Sequence, residues 1–153
     1  MVPKLVIRAA DPEDVAVMAA IAEEAYAPCV AVMGRRPAPM DADFDSHVTR
    51  HEAYVVQDKH GIGGYIVTYP TESGQFIENV AVRVGRRRTG LGRKLCQFAV
   101  LEARRRKAPR VYLYTNVTMV ENLSYYSRIG YVETHRITEH GFGRVYMEKT
   151  LGS

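Results

Sequence analysis

Between Val80 and Leu95 the chain reads Val-Ala-Val-Arg-Val-Gly-Arg-Arg-Arg-Thr-Gly-Leu-Gly-Arg-Lys-Leu. An apolar strand runs into arginines, then into two glycines spaced two apart, then into an amphipathic helix. That order suits an anion. Glycine lets the backbone approach a ligand with no Cβ in the way. A helix N-terminus offers N–H groups and the positive end of its dipole to a phosphate. An ordinary tight turn before a helix is the alternative reading of the same glycines.

Charge is concentrated at this stretch. Eleven of the 21 Lys and Arg, but one of the 17 Asp and Glu, lie between Arg83 and Arg110. The rest of the chain carries ten bases against sixteen acids, although the net charge is +4. A compact polyanion fits this better than a nucleic acid, which asks for basic charge over a whole face. Other glycine loops are not matched. A Walker loop needs Lys and then Ser or Thr after its second glycine, whereas Gly92 is followed by Arg93 and Lys94. A dinucleotide fingerprint needs three glycines after the first strand and an acid about 20 residues on.

The elements that must position the loop follow from local signals. Leu5 to Ala9 reads as a strand. Asp11-Pro12-Glu13-Asp14 reads as a helix start, and Val15, Met18, Ala19, Ala22 and Tyr26 continue it as one stripe. Gly34 to Pro39 breaks that helix, and a short one covers Asp43 to Arg50. Ala53 to Gln57 is a strand, Asp58 to Gly64 a glycine-rich hairpin turn, and Tyr65 to Tyr69 the return strand. Gln75 to Val82 is the next strand. The helix after the loop keeps Leu91, Leu95, Phe98 and Ala99 on one side and stops at Pro109. Val111 to Tyr114 is a strand. Val120 to Ile129 is a helix capped by Gly130, and Tyr131 to His135 and Val145 to Thr150 are the last strands. The fold class is α/β (α+β): a mixed, mostly antiparallel sheet of about six to seven strands flanked by about four helices.

The 153 residues suit one domain. No run is expected to approach the ~18 apolar residues of a membrane helix, so no membrane partner is expected. Met1 to Leu5 lacks the apolar core of a signal peptide. Cys29 and Cys96, both in expected helices, suit reduced thiols and a cytoplasmic location. His47, His51, His60, His135 and His140 do not have metal-site spacing, so no metal is expected.

Arg87-x-x-Gly90-x-Gly92, placed after Val80-Ala81-Val82, resembles the acetyl-CoA motif of the GNAT superfamily of N-acetyltransferases. Tyr126-Ser127-Arg128-Ile129-Gly130-Tyr131 resembles that superfamily's second signature, Tyr-x-x-Leu-Gly-Phe. The spacing between the motifs and the element order also match, and the resemblance covers essentially the whole chain. It implies a single GNAT-like domain over residues 1–153 that uses acetyl-CoA as acyl donor. The backbone amides of Arg88, Thr89, Gly90, Leu91, Gly92 and Arg93, behind Arg87, would hold the pyrophosphate. The main chain of Val80, Ala81 and Val82 would pair with the pantetheine arm, helped by a β-bulge near Val80 that frees those groups.

The resemblance also implies the chemistry. Acetyl transfer to an amine needs a neutral nucleophile, a donor for the carbonyl oxygen and a proton for the departing thiolate. Tyr126 matches the superfamily tyrosine near the thioester sulfur and is the expected general acid. The alternative is a packed aromatic beside Tyr125. Glu78, which shares a strand face with Phe76 while Asn79 faces the other way, is the expected base. Its alternative is a surface carboxylate. Asn122, one helical turn before Tyr126, could bind pantetheine, but the superfamily asparagine stands where this chain has Met119. Asn116 is another substitute. His51 could line the cleft. The acceptor wall would run from Tyr26 to Asp45, with Arg35 and Arg36 either holding an acidic group or simply solvated.

The acceptor is thus a primary amine of a small molecule or of a protein. Homodimers are common in the superfamily, so a homodimer is one expected state. Two other classes compete: a coenzyme A-binding regulator without catalysis, and a basic nucleic-acid binder using Arg104-Arg105-Arg106-Lys107, a run that also suits a helix C-terminus.

Overall fold

The computed structural model of the chain describes residues 5–152, so the N-terminal reading of Met1 to Lys4 lies outside the described residues. The elements are β1 (Val6–Ala9), α1 (Val15–Met33), α2 (Phe44–Thr49), β2 (Ala53–Asp58), β3 (Gly61–Thr71), β4 (Gly74–Val82), α3 (Leu91–Arg105), β5 (Arg110–Asn116), α4 (Val120–Arg128), β6 (Val132–Glu139) and β7 (Phe142–Thr150). The strands form one seven-stranded sheet in the order β1-β2-β3-β4-β5-β7-β6. The β4–β5 ladder is parallel, while β1–β2, β2–β3, β5–β7 and β6–β7 are antiparallel.

The chain forms two compact units. One holds the chain up to Thr68 together with Asn79–Phe98, and the other holds Tyr69–Glu78 together with the chain from Ala99 on.

In the first unit Met18, Ile21, Val55, Tyr65, Ile66, Val67 and Leu95 are completely buried. The start of α1 is fixed by Asp14, which accepts the Asp11 N–H at 2.7 Å and the Arg8 guanidinium at 2.8 Å. Gly34, at φ 75°, closes α1 as a left-handed cap. Asp43 caps α2 by accepting the Ser46 N–H at 3.1 Å. Two sequence expectations need correction. Pro12–Met33 does reach membrane-helix length: it contains an 18-residue window apolar enough to cross a membrane by length and composition, because Glu23 and Glu24 interrupt the run without lowering its average enough. Here it is a packed helix: Met18, Ile21 and Ala22 are buried, and Glu24 accepts the Val84 N–H at 2.6 Å.

The second correction concerns glycines. Gly61, Gly63 and Gly64 belong to β3 rather than to a turn, which shrinks to Lys59 and His60. A Cβ on Gly63 would lie 2.6 Å from Leu91 Cδ1, and one on Gly64 would lie 2.7 Å from the Ala81 carbonyl oxygen. These glycines let neighbouring elements close onto the strand.

In the second unit Val111, Leu113, Val145 and Met147 are buried, whereas Tyr112, Tyr114, Arg144 and Tyr146 alternate with them and are half-buried. Helix α3 ends at Arg105, before Pro109. Lys107 takes a left-handed φ of 59°, and the Ala108 N–H reaches back to the Ala103 carbonyl at 2.8 Å, so the helix is closed by its own backbone. Gly130, at φ 104°, closes α4 in the same way, with the Tyr131 N–H on the Tyr126 carbonyl at 2.9 Å. His140 and Gly141 both have positive φ and form the tight turn between β6 and β7. Strand β6, at the sheet's edge, is exposed along nearly its whole length and carries an irregularity between Glu133 and His135.

Candidate active site

The glycine loop belongs to the first unit and is built as a cradle of backbone. A single 3-10 turn, Val84–Arg86, leads out of β4. Arg88 and Gly90 both take left-handed conformations, φ 63° and 87°, and a Cβ on Gly90 would meet nothing within 4 Å. The first helical hydrogen bond of α3 runs from the Lys94 N–H to the Gly90 carbonyl at 3.0 Å. The amides of Leu91, Gly92 and Arg93 therefore precede the helical ladder, as the first amides of any helix do.

The arginines around the loop divide by role. Arg86 pairs with Asp58, and Arg83 donates to the Ile62 carbonyl at 2.7 Å. Arg87 donates to the Ala25 carbonyl at 3.1 Å. Those three hold the loop in place. Arg88 and Arg93 are exposed, and their side chains make no hydrogen bond or ion pair among the described residues. Arg36, expected on the acceptor wall, is likewise spent on Glu23 at 2.7 Å and Asp41 at 3.0 Å.

Strand β4 carries a second device. Among the described residues its ladder with β5 runs from Gln75–Val111 to Ile77–Leu113. Glu78 then accepts the Tyr69 hydroxyl at 2.6 Å, and the next residue, Asn79, accepts the Tyr65 hydroxyl at 2.9 Å. Tyr65 and Tyr69 are four apart on β3 and share a face. Burial alternates along this part of β4, with Ile77 and Asn79 buried and Glu78 and Val80 half-buried.

Asn79 is also the centre of a network that the sequence did not reveal. The Tyr26 hydroxyl lies 3.1 Å from Asn79 Oδ1 and 2.9 Å from the Val80 carbonyl oxygen, and Asn79 Nδ2 donates to the Pro39 carbonyl at 3.3 Å. The phenols of Tyr26 and Tyr65 are held protonated, chiefly by burial. Val80, the first residue of the stretch expected to meet pantetheine, thus has its carbonyl already fixed by α1.

In the second unit Tyr126 is buried on α4, its ring edge-on to Tyr125 at 5.5 Å and to Tyr131 at 5.7 Å. Asn122 lies one turn earlier, and its amide nitrogen reaches Thr115 Oγ1 at 3.4 Å and Met119 Sδ at 3.3 Å. Asn116 is the last residue of β5 and braces the turn that follows: its Oδ1 accepts the Thr118 N–H at 2.9 Å. His51 is exposed at φ 59° in the turn before β2, in the first unit. Among the described residues no group of three His, Cys, Asp or Glu comes together to hold a metal.

The acetyltransferase (GNAT) domain family matches residues 49–133, more than half of the chain. The chain belongs to the GNAT acetyltransferases. No curated protein sequence matches it, but many solved structures share its fold. The ribosomal-protein-S18-alanine N-acetyltransferase of Escherichia coli is similar at 16% identity and TM-score 0.79, covering 98% of this chain and 96% of that one. The PaiA N-acetyltransferase of Thermoplasma acidophilum, solved in complex with coenzyme A, is similar at 13% identity and TM-score 0.81, covering 97% and 99%. Naa20 of Chaetomium thermophilum, solved with a bisubstrate analogue, is similar at 19% identity and TM-score 0.71, covering 95% and 86%. The GNAT match spans the glycine loop and the Tyr126–Tyr131 segment, the two motifs that carry the resemblance.

Proposed function

We propose that this GNAT acetyltransferase transfers the acetyl group of acetyl-CoA to a primary amine by direct attack, within one domain covering residues 1–153. The observation that carries the reading is the loop. Left-handed Arg88 and Gly90, open space over Gly90 and the leading amides of α3 form a concave set of N–H donors. Its residues, Arg87 to Arg93, bind the pyrophosphate, and Val80, Ala81 and Val82 present main chain to the pantetheine arm.

Each catalytic group then has one task. Glu78 accepts the proton that the amine loses as its nitrogen bonds to the thioester carbonyl carbon. Tyr126 gives its phenolic proton to the sulfur as the carbon–sulfur bond breaks, and regains one from solvent. Asn122 contributes to cofactor binding through its amide. The acceptor is an amine on a small molecule or on a peptide. The cytoplasm, where Cys29 and Cys96 stay reduced, is the proposed location.

The test is thiol release from acetyl-CoA over a panel of primary amines, followed by mass measurement of the product. An added acetyl group on one or more amines is the expected result. Coenzyme A binding without transfer to any amine would favour a regulator instead, and no coenzyme A binding would overturn the reading.

A further inference from the structure

The second unit holds a continuous row of rings on one sheet face. Tyr69 meets Phe76 edge-on at 5.7 Å, and Phe76 lies 4.9 Å from Tyr112 and 5.8 Å from Tyr114. Tyr114 lies 5.3 Å from Tyr146, whose ring stacks on His135 at 4.5 Å. The row crosses β3, β4, β5, β7 and β6, and its rings are half-buried or, at His135, exposed. Register alone assembles it: Phe76 pairs with Tyr112, Tyr114 with Tyr146 and Tyr146 with His135.

Two carboxylates border the row, Glu78 at one end and Glu139, paired with Arg144, toward the other. Tyr69 binds Glu78 at 2.6 Å and Tyr146 binds Glu139 at 2.7 Å. The electrostatics of Tyr114 register both carboxylates: burial pushes its phenol up first, Arg144 opposes, and Glu78 and Glu139 push it further up. A cation already uses the row. The Arg144 guanidinium sits 4.3 Å from the Tyr114 ring centroid, with Glu139 3.4 Å away. Electron-rich ring faces beside carboxylates are the chemistry that recognises an organic cation.

We propose that this row is the acceptor subsite and takes a protonated amine carried on a flat apolar body, with the nitrogen on a saturated carbon beside the ring, as in benzylamine. The ring of the ligand lies against Phe76 and Tyr112, and its ammonium is held at Glu78. This rests on the acetyltransferase reading for the reaction, since Glu78 is the base proposed to take the amine's proton. Binding itself does not depend on acetyl-CoA. A second copy of the chain is the other occupant, which the test below distinguishes.

The experiment is calorimetric titration of the full chain at pH 7 with benzylamine, benzyl alcohol and butylamine. Benzylamine should bind at least about tenfold more tightly than either the neutral ring or the ringless cation, and Tyr112→Leu should weaken it about tenfold. Phe76→Leu repeats the test if Tyr112→Leu fails to fold. Equal affinity for the amine and the alcohol, or an unchanged affinity in a folded variant, would overturn the subsite. So would sedimentation showing a dimer that Tyr112→Leu dissociates. Coenzyme A is titrated into the same samples. If it fails to bind while benzylamine binds, the acetyltransferase reading falls and the cation site stands. If it binds while benzylamine does not, only the subsite falls.

Discussion

Tyr69 donates its hydroxyl to Glu78 Oε1 at 2.6 Å, and Asn79, the next residue, is held by Tyr65 at 2.9 Å. Two tyrosines four apart on one strand thus orient two adjacent residues of its neighbour. Hydrogen bonds to a charged acceptor are worth about 1.5–3 kcal/mol. Tyr69→Phe should therefore lower kcat/KM about tenfold while coenzyme A affinity stays unchanged. Steady-state kinetics beside a coenzyme A titration check this. An unchanged kcat/KM would show that Glu78 needs no such orientation.

Tyr126→Phe keeps the ring, and with it the edge-on packing against Tyr125 and Tyr131. The hydroxyl is lost, and with it the proton. Turnover should fall by about a hundredfold or more, as loss of a general acid does, with coenzyme A affinity within about twofold. Comparing kcat with the coenzyme A dissociation constant separates the two effects, and an unaltered kcat would remove the acid role.

Gly90 sits at φ 87° with open space above it. Gly90→Val should strain the loop by about 1–2 kcal/mol and fill the cradle, so coenzyme A binding should be lost while the far-UV spectrum of the folded chain is kept. A variant that still binds coenzyme A as tightly as the parent would refute the loop assignment.

The strand glycines give a stability contrast. A Cβ on Gly64 would meet the Ala81 carbonyl oxygen at 2.7 Å, while one on Gly63 would meet the mobile end of Leu91 at 2.6 Å. Backbone cannot step aside and a side-chain tip can. Gly64→Ala should cost about 1–3 kcal/mol, and Gly63→Ala less. Urea unfolding of both variants decides it, and equal losses would contradict the argument.

The Asp14 carboxyl is held below the usual carboxylate range, first by its hydrogen bond from Arg8. A depressed folded value stabilises the fold above the unfolded value of about 3.9, and that contribution disappears as pH falls through the folded value. Asp14→Asn should be less stable than the parent at pH 7, with the gap closing below about pH 4. Chemical unfolding across pH 3–7 measures it, and a gap that holds steady with pH would show a packing effect instead.

Local signals were readable where the cause is local. Gly34 and Gly130 stop their helices through left-handed backbone, and glycine is the residue that permits it. The loop from Arg87 to Arg93 was equally legible, because spacing in the chain is spacing in the cradle. Gly63 and Gly64 read as a turn in the sequence because a glycine needed for close packing has the same letter as one needed for a turn. Only Leu91 and Ala81, far along the chain, distinguish the two. The aromatic row was hidden for a related reason. Its rings come from five strands, and they meet only once the registers of β4, β5, β7 and β6 are set.

Strand β6 ends the sheet with a row of outward N–H and C=O groups that could template a further strand. The step between Glu133 and His135 breaks the flatness of that row, and the Arg136–Glu133 ion pair at 2.9 Å puts charge on it. The strand also exposes Val132 and Ile137, the kind of side chains that would otherwise favour stacking. The irregularity therefore works against strand addition: a chain with one residue removed there, presenting an even β6 edge to a neighbour's strand, would be the form expected to polymerise.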